Sequence, residues 1–256
     1  MPFHFDPVLP FADYEQQLKN YSNPETYFPA EISEERFKFY DAILKKIDGL
    51  IENKGNLLDI GCGRGELLYV AKNHGWQVCG VDISPVFAKY AKERFNVDIK
   101  VGDIKRLDFR PESFDVITLT AVLDHVYDPK GLVLELHRIL KKNGIIFIEV
   151  MNNESILYKL GDLYYRLKGQ KTTTNLSPTF PSFQVYGFSA RTMSRLLQMA
   201  GFRILDIRIR GGISKTEKFV IKDLKERLLR TLRILCFIFA DLLNKGQVLE
   251  VYAKKI

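Results

Sequence analysis

The sequence predicts an α/β fold built on a doubly wound parallel sheet. Three observations carry this. Short, near-continuous apolar runs alternate with helical periodicity between residues 55 and 150. A glycine turn joins the first such run to the first such helix. The last apolar segments then change to strict alternation. Strands that are apolar on both sides need helices above and below them, and right-handed crossovers leave few other topologies.

The elements follow in order. The first 30 residues hold five prolines (Pro2, Pro7, Pro10, Pro24, Pro29) and aromatics such as Tyr21 and Tyr27, which predict an irregular but ordered arm. Phe37, Tyr40, Ile43, Leu44 and Ile47 recur at helical spacing between residues 33 and 51, with Ser33 placed to cap. Residues 57–60 read as a buried strand, followed by the glycine turn and a helix to about residue 74. Residues 77–81 form a second strand, and Ser84-Pro85 opens a helix. Strands at 97–101, 114–119 and 144–150 follow, with a helix at 132–140 before the last of them. Leu205, Ile207 and Ile209 alternate with Asp206, Arg208 and Arg210, as on a sheet edge or a half-solvated sheet. Residues 248–252 give one more strand, and a long helical stretch, 215–243, lies between the two.

Composition excludes several classes. Of 256 residues, 46% are hydrophobic and 27% charged, which fits a globular chain and not a disordered one, a collagen or a coiled coil. The longest apolar run, 234–240, is too short to span a bilayer. The first residues, MPFHFDPVLPF, lack the basic start and apolar run of a secretory signal. Three cysteines without CxxC spacing predict neither a disulfide framework nor a metal site, and suit a reducing cytoplasm. The net charge of +7 suits a solvated basic surface or an anionic partner. His4 and His74 read as surface residues.

The chemistry concentrates at Asp59-Ile60-Gly61-Cys62-Gly63-Arg64-Gly65. A glycine turn between strand and helix lets a ligand approach the backbone closely. The dinucleotide spacing GxGxxG would need glycine at 66, where Glu66 stands, a poor neighbour for a pyrophosphate. Asp59 ends the first strand beside the turn, within reach of a cationic group. Asp82 ends the second strand 21 residues after Gly61, where a carboxylate accepts both hydroxyls of a ribose; an N-cap role before Ser84 is the plainer alternative. Together these describe a pocket for an adenosine-like ligand with positive charge and no phosphate. Cys62 within the loop reads as a small filler residue.

The segments LLDIGCGRGELL, GVDIS, VGDIKRLDF and FDVITLTAVLDHVYDPKGLVLELHRILKKNGIIFIEVMNNES, with the later YGFSARTMSRLLQMAGFRILDI, resemble the class I S-adenosylmethionine-dependent methyltransferases. Within them the chain is most similar to the branch of ubiquinone-biosynthesis O-methyltransferases and small-molecule methyltransferases. The resemblance implies a Rossmann-like sheet of seven strands, order 3-2-1-4-5-7-6, with the last strand antiparallel, and S-adenosyl-L-methionine as cofactor. It implies that Gly61 and Gly63 pass under the methionine part and adenosine, with Asp59 near the cofactor's amino group. Asp82 would hold the ribose, Ile83 would lie against the adenine, and Asp103 would accept from the adenine amine. The amide of Ile104 would donate to the ring, and Thr120 would lie beside the methionine portion. Asp103 capping a turn before Leu107 is the plainer reading of that residue.

No composition shift marks a second domain, so residues 1–256 read as one methyltransferase domain. Its parts are an arm and helix at 1–54, a cofactor-binding half at 55–151, a lid insert at 152–188 and a C-terminal half at 189–256.

An acceptor would meet the residues after the fourth and fifth strands. His125 is the candidate general base there; packing in a turn is the alternative. Asn152 and Asn153 are candidates to hydrogen-bond an acceptor, or merely to satisfy a turn. Relatives often carry a histidine before aromatic-aromatic-Phe-Ser; here Gln184 takes its place, followed by Val185-Tyr186-Gly187-Phe188-Ser189. Gln184 and Tyr186 join the substrate candidates, and glutamine cannot serve as the base. A helix at 154–168, with Ile156, Leu157, Leu160, Leu163, Tyr164 and Leu167 on one face, and a loop at 169–181 suit a lid.

In the stretch 215–243, Lys215, Lys218, Lys222, Lys225, Arg230 and Arg233 fall on one face and Val220, Leu224, Leu228, Leu235 and Ile238 on the other. Such a helix either packs on its own sheet or lies on an anionic membrane. Nucleic acid is not expected: Leu119-Thr120-Ala121-Val122 stands where amino-methylating relatives carry Asn/Asp-Pro-Pro-aromatic, and no Pro-Cys pair is present. The expectation is a cytoplasmic methyltransferase, peripheral to a membrane if that helix binds one, that methylates a small or lipid-like acceptor at oxygen. The alternatives are N- or C-methylation, a non-catalytic cofactor-binding or scaffold protein, and a dinucleotide oxidoreductase, which Glu66 disfavours.

Overall fold

The computed structural model describes residues 32–170, 174, 184–211, 240, 243 and 245–256. Tyr21 and Tyr27, most of the loop 169–181 and nearly all of the stretch 215–243 lie outside the described residues.

The chain opens with helix α1 (Glu34–Asp48), where the Ser33 hydroxyl accepts the Arg36 amide at 3.3 Å, as the sequence predicts. Then come β1 (Asn56–Ile60), α2 (Glu66–Asn73), β2 (Gln77–Asp82), α3 (Pro85–Phe95) and β3 (Ile99–Val101). They are followed by β4 (Phe114–Thr120), α4 (Pro129–Ile139), β5 (Leu140–Met151), α5 (Ile156–Leu167), α6 (Ala190–Met199), β6 (Phe202–Arg210) and β7 (Val248–Lys255).

The seven strands form one sheet in the order β3-β2-β1-β4-β5-β7-β6. Strands β1 to β5 pair in parallel, and β7 runs antiparallel to both β5 and β6. This is the order that the resemblance implies, and the alternating strand β6 lies at the edge. Strand period two divides the core between the two faces. Leu57, Ile145 and Phe147 join Tyr40, Ile43, Leu44 and Ile47 of α1 and Leu67 and Leu68 of α2 on one face. Leu58, Ile146 and Ile148 join Leu132, Val133 and Leu136 of α4 and Met193 and Leu197 of α6 on the other.

Four local expectations are corrected. Strand β3 starts at Ile99 and not at residue 97, because Asn96 ends α3 in the left-handed region (φ 50°) and turns Val97 into the core. Helix α4 starts at Pro129, since Asp128 caps it by accepting the Gly131 amide at 2.8 Å. Strand β5 starts at Leu140, and an irregularity in its pairing with β4 coincides with Asn143 at φ 65°. His74 is not a plain surface residue. Its Nδ1 lies 2.8 Å from Asp48 and its Nε2 2.9 Å from Asp41, which ties the end of α2 to α1.

Candidate active site

The carboxyl ends of β1, β2, β4 and β5 open onto one cavity of about 720 Å³. Its volume lies within the usual range of ligand sites. The glycine loop forms its floor. Gly61 (φ 63°) and Gly63 (φ 52°) take left-handed conformations there, and a Cβ on Gly61 would lie 2.4 Å from Val122. The loop is clasped by Asp82, whose Oδ2 accepts the Gly63 amide and whose Oδ1 accepts the Ser84 amide, both at 2.9 Å. Each carboxylate oxygen has two acceptor sites, so these bonds leave room for others. Burial pushes the Asp82 carboxyl above its usual range, against the bonds from Ser84 and Gly63.

Asp59 also lines the floor and is almost wholly buried. It accepts the Thr118 hydroxyl at 2.7 Å. Burial pushes its carboxyl up to about 7; the Thr118 bond opposes this, while the charges of Asp82 and Glu66 add to it. Glu66 itself is buried and held by Arg64 Nε and Nη2 at 3.1 and 2.9 Å, with Arg36 3.7 Å away. Cys62 is a buried filler, and burial pushes its thiol up, away from thiolate chemistry.

Ile83, Phe87, Ile104 and Leu132 give one wall an apolar lining. Asp103, on the same wall, caps the 3₁₀ turn after β3 by accepting the Lys105 amide at 2.9 Å, as the plainer reading expects. Thr120 ends β4 with its hydroxyl buried and without a hydrogen-bond partner among the described residues. Ala121 follows at φ 54°, an uncommon conformation for a residue with a Cβ, and its amide donates to Glu149 O at 2.9 Å.

A family model described as a methyltransferase domain matches residues 32–207. The chain belongs to the methyltransferase-domain family. It is 29% identical over 170 residues to a ubiquinone biosynthesis O-methyltransferase of Coxiella burnetii, covering 64% of this chain and 70% of that one. The fold is that of a SAM-dependent methyltransferase from Archaeoglobus fulgidus (TM-score 0.57, 22% identity, 86% of this chain and 94% of that one). It is also that of Haemonchus contortus phosphoethanolamine N-methyltransferase 2 in complex with S-adenosyl-L-methionine (TM-score 0.60, 20% identity, 97% of this chain and 60% of that one).

The protein is thus a class I S-adenosylmethionine-dependent methyltransferase. The residues of the cavity fit that cofactor. Two carboxylates, Asp59 and Asp82, suit a cation and hydroxyl groups, the apolar wall suits an aromatic base, and the orphaned Thr120 hydroxyl awaits a partner.

All the residues expected at the cofactor, Asp59, Gly61, Gly63, Asp82, Ile83, Asp103, Ile104 and Thr120, line this one cavity, as does His125. The four acceptor candidates are not among its described lining residues. Asn152 spends its side chain on backbone, donating to Gly246 O at 2.8 Å and accepting the Glu154 amide at 3.1 Å. Asn153 packs against Gly187. Gln184 is buried and donates to Asp124 Oδ2 at 2.9 Å, and the Tyr186 hydroxyl donates to Tyr127 O at 3.0 Å.

Sequence reading missed Arg36, Phe39 and Tyr40 of α1 and Glu149 of β5, which also line the cavity. Arg210 donates to Glu149 at 2.6 Å, contacts Glu250, and stacks over Phe39 at 4.4 Å. The helical spacing of Arg36 and Tyr40 puts both on one face of α1, and that periodicity was the available signal.

Proposed function

We propose that this methyltransferase moves a methyl group to a hydroxyl oxygen of a small or lipid-like acceptor, with His125 as the general base. The observation that carries this is His125 itself. It is the one histidine among the described lining residues, and it follows β4 on the cavity wall that also holds Thr120 and Val122. The O-methyltransferase of Coxiella burnetii among the relatives supports oxygen as the acceptor atom.

In this reading Gly61 and Gly63 let the cofactor lie on the loop backbone, and Asp82 holds the ribose hydroxyls. Ile83 packs on the adenine, Asp103 accepts its amine, and the Ile104 amide donates to the ring. Asp59 and Thr120 serve the methionine portion. The cofactor supplies a methyl group on a sulfonium, with a good leaving group. The protein then has to align the acceptor oxygen, exclude water and remove one proton.

Helix α5 favours a lipid-like acceptor. It exposes Leu160, Leu163, Tyr164 and Leu167 beside Lys159, Arg166 and Lys168, a surface suited to peripheral contact with an anionic membrane. No helix among the described residues is long and apolar enough to cross one.

The test offers purified protein and methyl-labelled cofactor to a panel of phenols, catechols, lipid-linked phenols and amines. Label in a methyl ether, lost by roughly 10²- to 10⁴-fold in His125→Ala, is the expected result. Label confined to nitrogen or carbon, or full turnover in His125→Ala, would overturn it.

A further inference from the structure

Asp124 stands one residue before His125 on the 3₁₀ turn Leu123–His125, and its side chain is buried. Its Oδ2 accepts Gln184 Nε2 at 2.9 Å, from 60 residues further along the chain. Its backbone carbonyl accepts the amides of Val185 and Tyr186 at 2.8 and 3.1 Å, so the segment around Gln184 is built onto this residue. Oδ1 is also buried and accepts no hydrogen bond among the described residues. It faces Nε2 of His125 at 3.7 Å, too long for a hydrogen bond and short enough for a strong charge interaction.

A buried carboxylate with one oxygen left open is costly unless a cation can come to it. Gln184 holds the other oxygen with a neutral amide. The backbone amides of Asp124 and Met151 also act on the carboxylate, and His125 is the cationic group beside its open oxygen. We propose that Asp124 is a positioning residue for the methyl transfer: it holds Nε2 of His125 and stabilises the imidazolium formed as the acceptor loses its proton. The inference rests on His125 being the base. The hydroxyl O–H bond breaks toward the ring nitrogen away from Asp124. The oxygen's electron pair forms the new O–CH₃ bond, the S–CH₃ pair stays on sulfur, and the proton later passes to water.

Among the described residues the surrounding titratable groups have other partners. Burial raises the Asp124 carboxyl, and the His125 charge and the Met151 amide act against that rise. Among the described residues Tyr158 of α5 also interacts with Asp124, and burial keeps its phenol neutral. On the cavity side Asp128 is tied to Lys105 at 2.7 Å, and Asp59 and Glu149 also line the cavity.

The test is steady-state kinetics on the purified variants. Asp124→Asn keeps an oxygen for Gln184 and removes the charge; it should lose about tenfold or more in kcat with KM and cofactor Kd little changed. Asp124→Glu restores the charge and should recover part of that loss, which a packing role alone would not give. Gln184→His keeps a donor on Oδ2 but offers the carboxylate a second cation; it should lower kcat in the same way, and serves if Asp124→Asn does not fold. Full kcat in Asp124→Asn while His125→Gln abolishes turnover would overturn the role of Asp124 alone. Full turnover in His125→Gln would overturn the base, and with it the catalytic half of this proposal.

Discussion

One oxygen of Asp82 accepts the amide of Gly63 at 2.9 Å, so the acid that ends β2 also closes the loop that follows β1. Its other oxygen fixes the turn into α3 through Ser84. A residue proposed to hold the cofactor is here part of the framework as well.

Asp82→Ala should therefore do two things. Cofactor Kd should rise by roughly 10- to 10⁴-fold, since bonds to a charged acceptor are worth about 1.5–3 kcal/mol each. Urea unfolding should also show a loss of about 1–3 kcal/mol from the two orphaned amides. Calorimetry and denaturant titration read the two separately, and a variant with unaltered affinity would remove Asp82 from the site.

Burial pushes the Asp59 carboxyl up to about 7, so a cofactor cation held by Asp59, as proposed, should bind in a pH-dependent way. A cation prefers the ionised form, so binding should lower this pKa and release a proton. Affinity should then be highest above pH 7 and should fall as pH drops through it. Calorimetry in buffers of different ionisation enthalpy would detect the proton, and Asp59→Asn should flatten the dependence.

Gly61→Ala places a Cβ 2.4 Å from Val122 in a left-handed conformation. The backbone alone costs about 1–2 kcal/mol, and the clash adds to it. Thermal unfolding should occur at a lower temperature and cofactor binding should weaken. Val122→Ala should relieve the clash and recover part of the stability, which a double-mutant cycle would measure.

His74→Ala should loosen α1. Burial works against the Asp48 carboxylate, but hydrogen bonds from His74, Lys54 and Trp76 hold it below its ordinary range. Its contribution to stability is thus present above the unfolded carboxylate pKa, near 4, and is lost as pH falls through the lower folded value. Without His74 the neutral-pH stability should be smaller, and its decline between about pH 4 and pH 2 shallower. Urea melts at a series of pH values would check both.

Much of this was legible because it is local. The apolar runs at 57–60 and 144–150 announce strands covered on both faces, Ser33 announces its helix, and the spacing from Gly61 to Asp82 puts both residues on one cavity. What escaped depends on distant partners. Nothing near Asp124 in the chain reveals Gln184, and nothing near His74 reveals the two carboxylates of α1. Asn152 read equally as an acceptor ligand or a turn residue; its bond from Glu154 is the local turn, and its partner Gly246, on the approach to β7, was not visible from the chain around it. Arg36 and Glu149 meet at the cavity only after α1 docks across the sheet.

Helix α1 is pinned to α2 through His74 while its Arg36, Phe39 and Tyr40 wall the cavity. A ligand that touches both that wall and the strand ends binds only the docked helix, and by mass action it must deepen the free-energy well in which the helix sits. The exchange of α1 amides with heavy water becomes a gauge of occupancy: their protection factors should climb with cofactor concentration, in step with saturation of the cavity that this helix helps to wall.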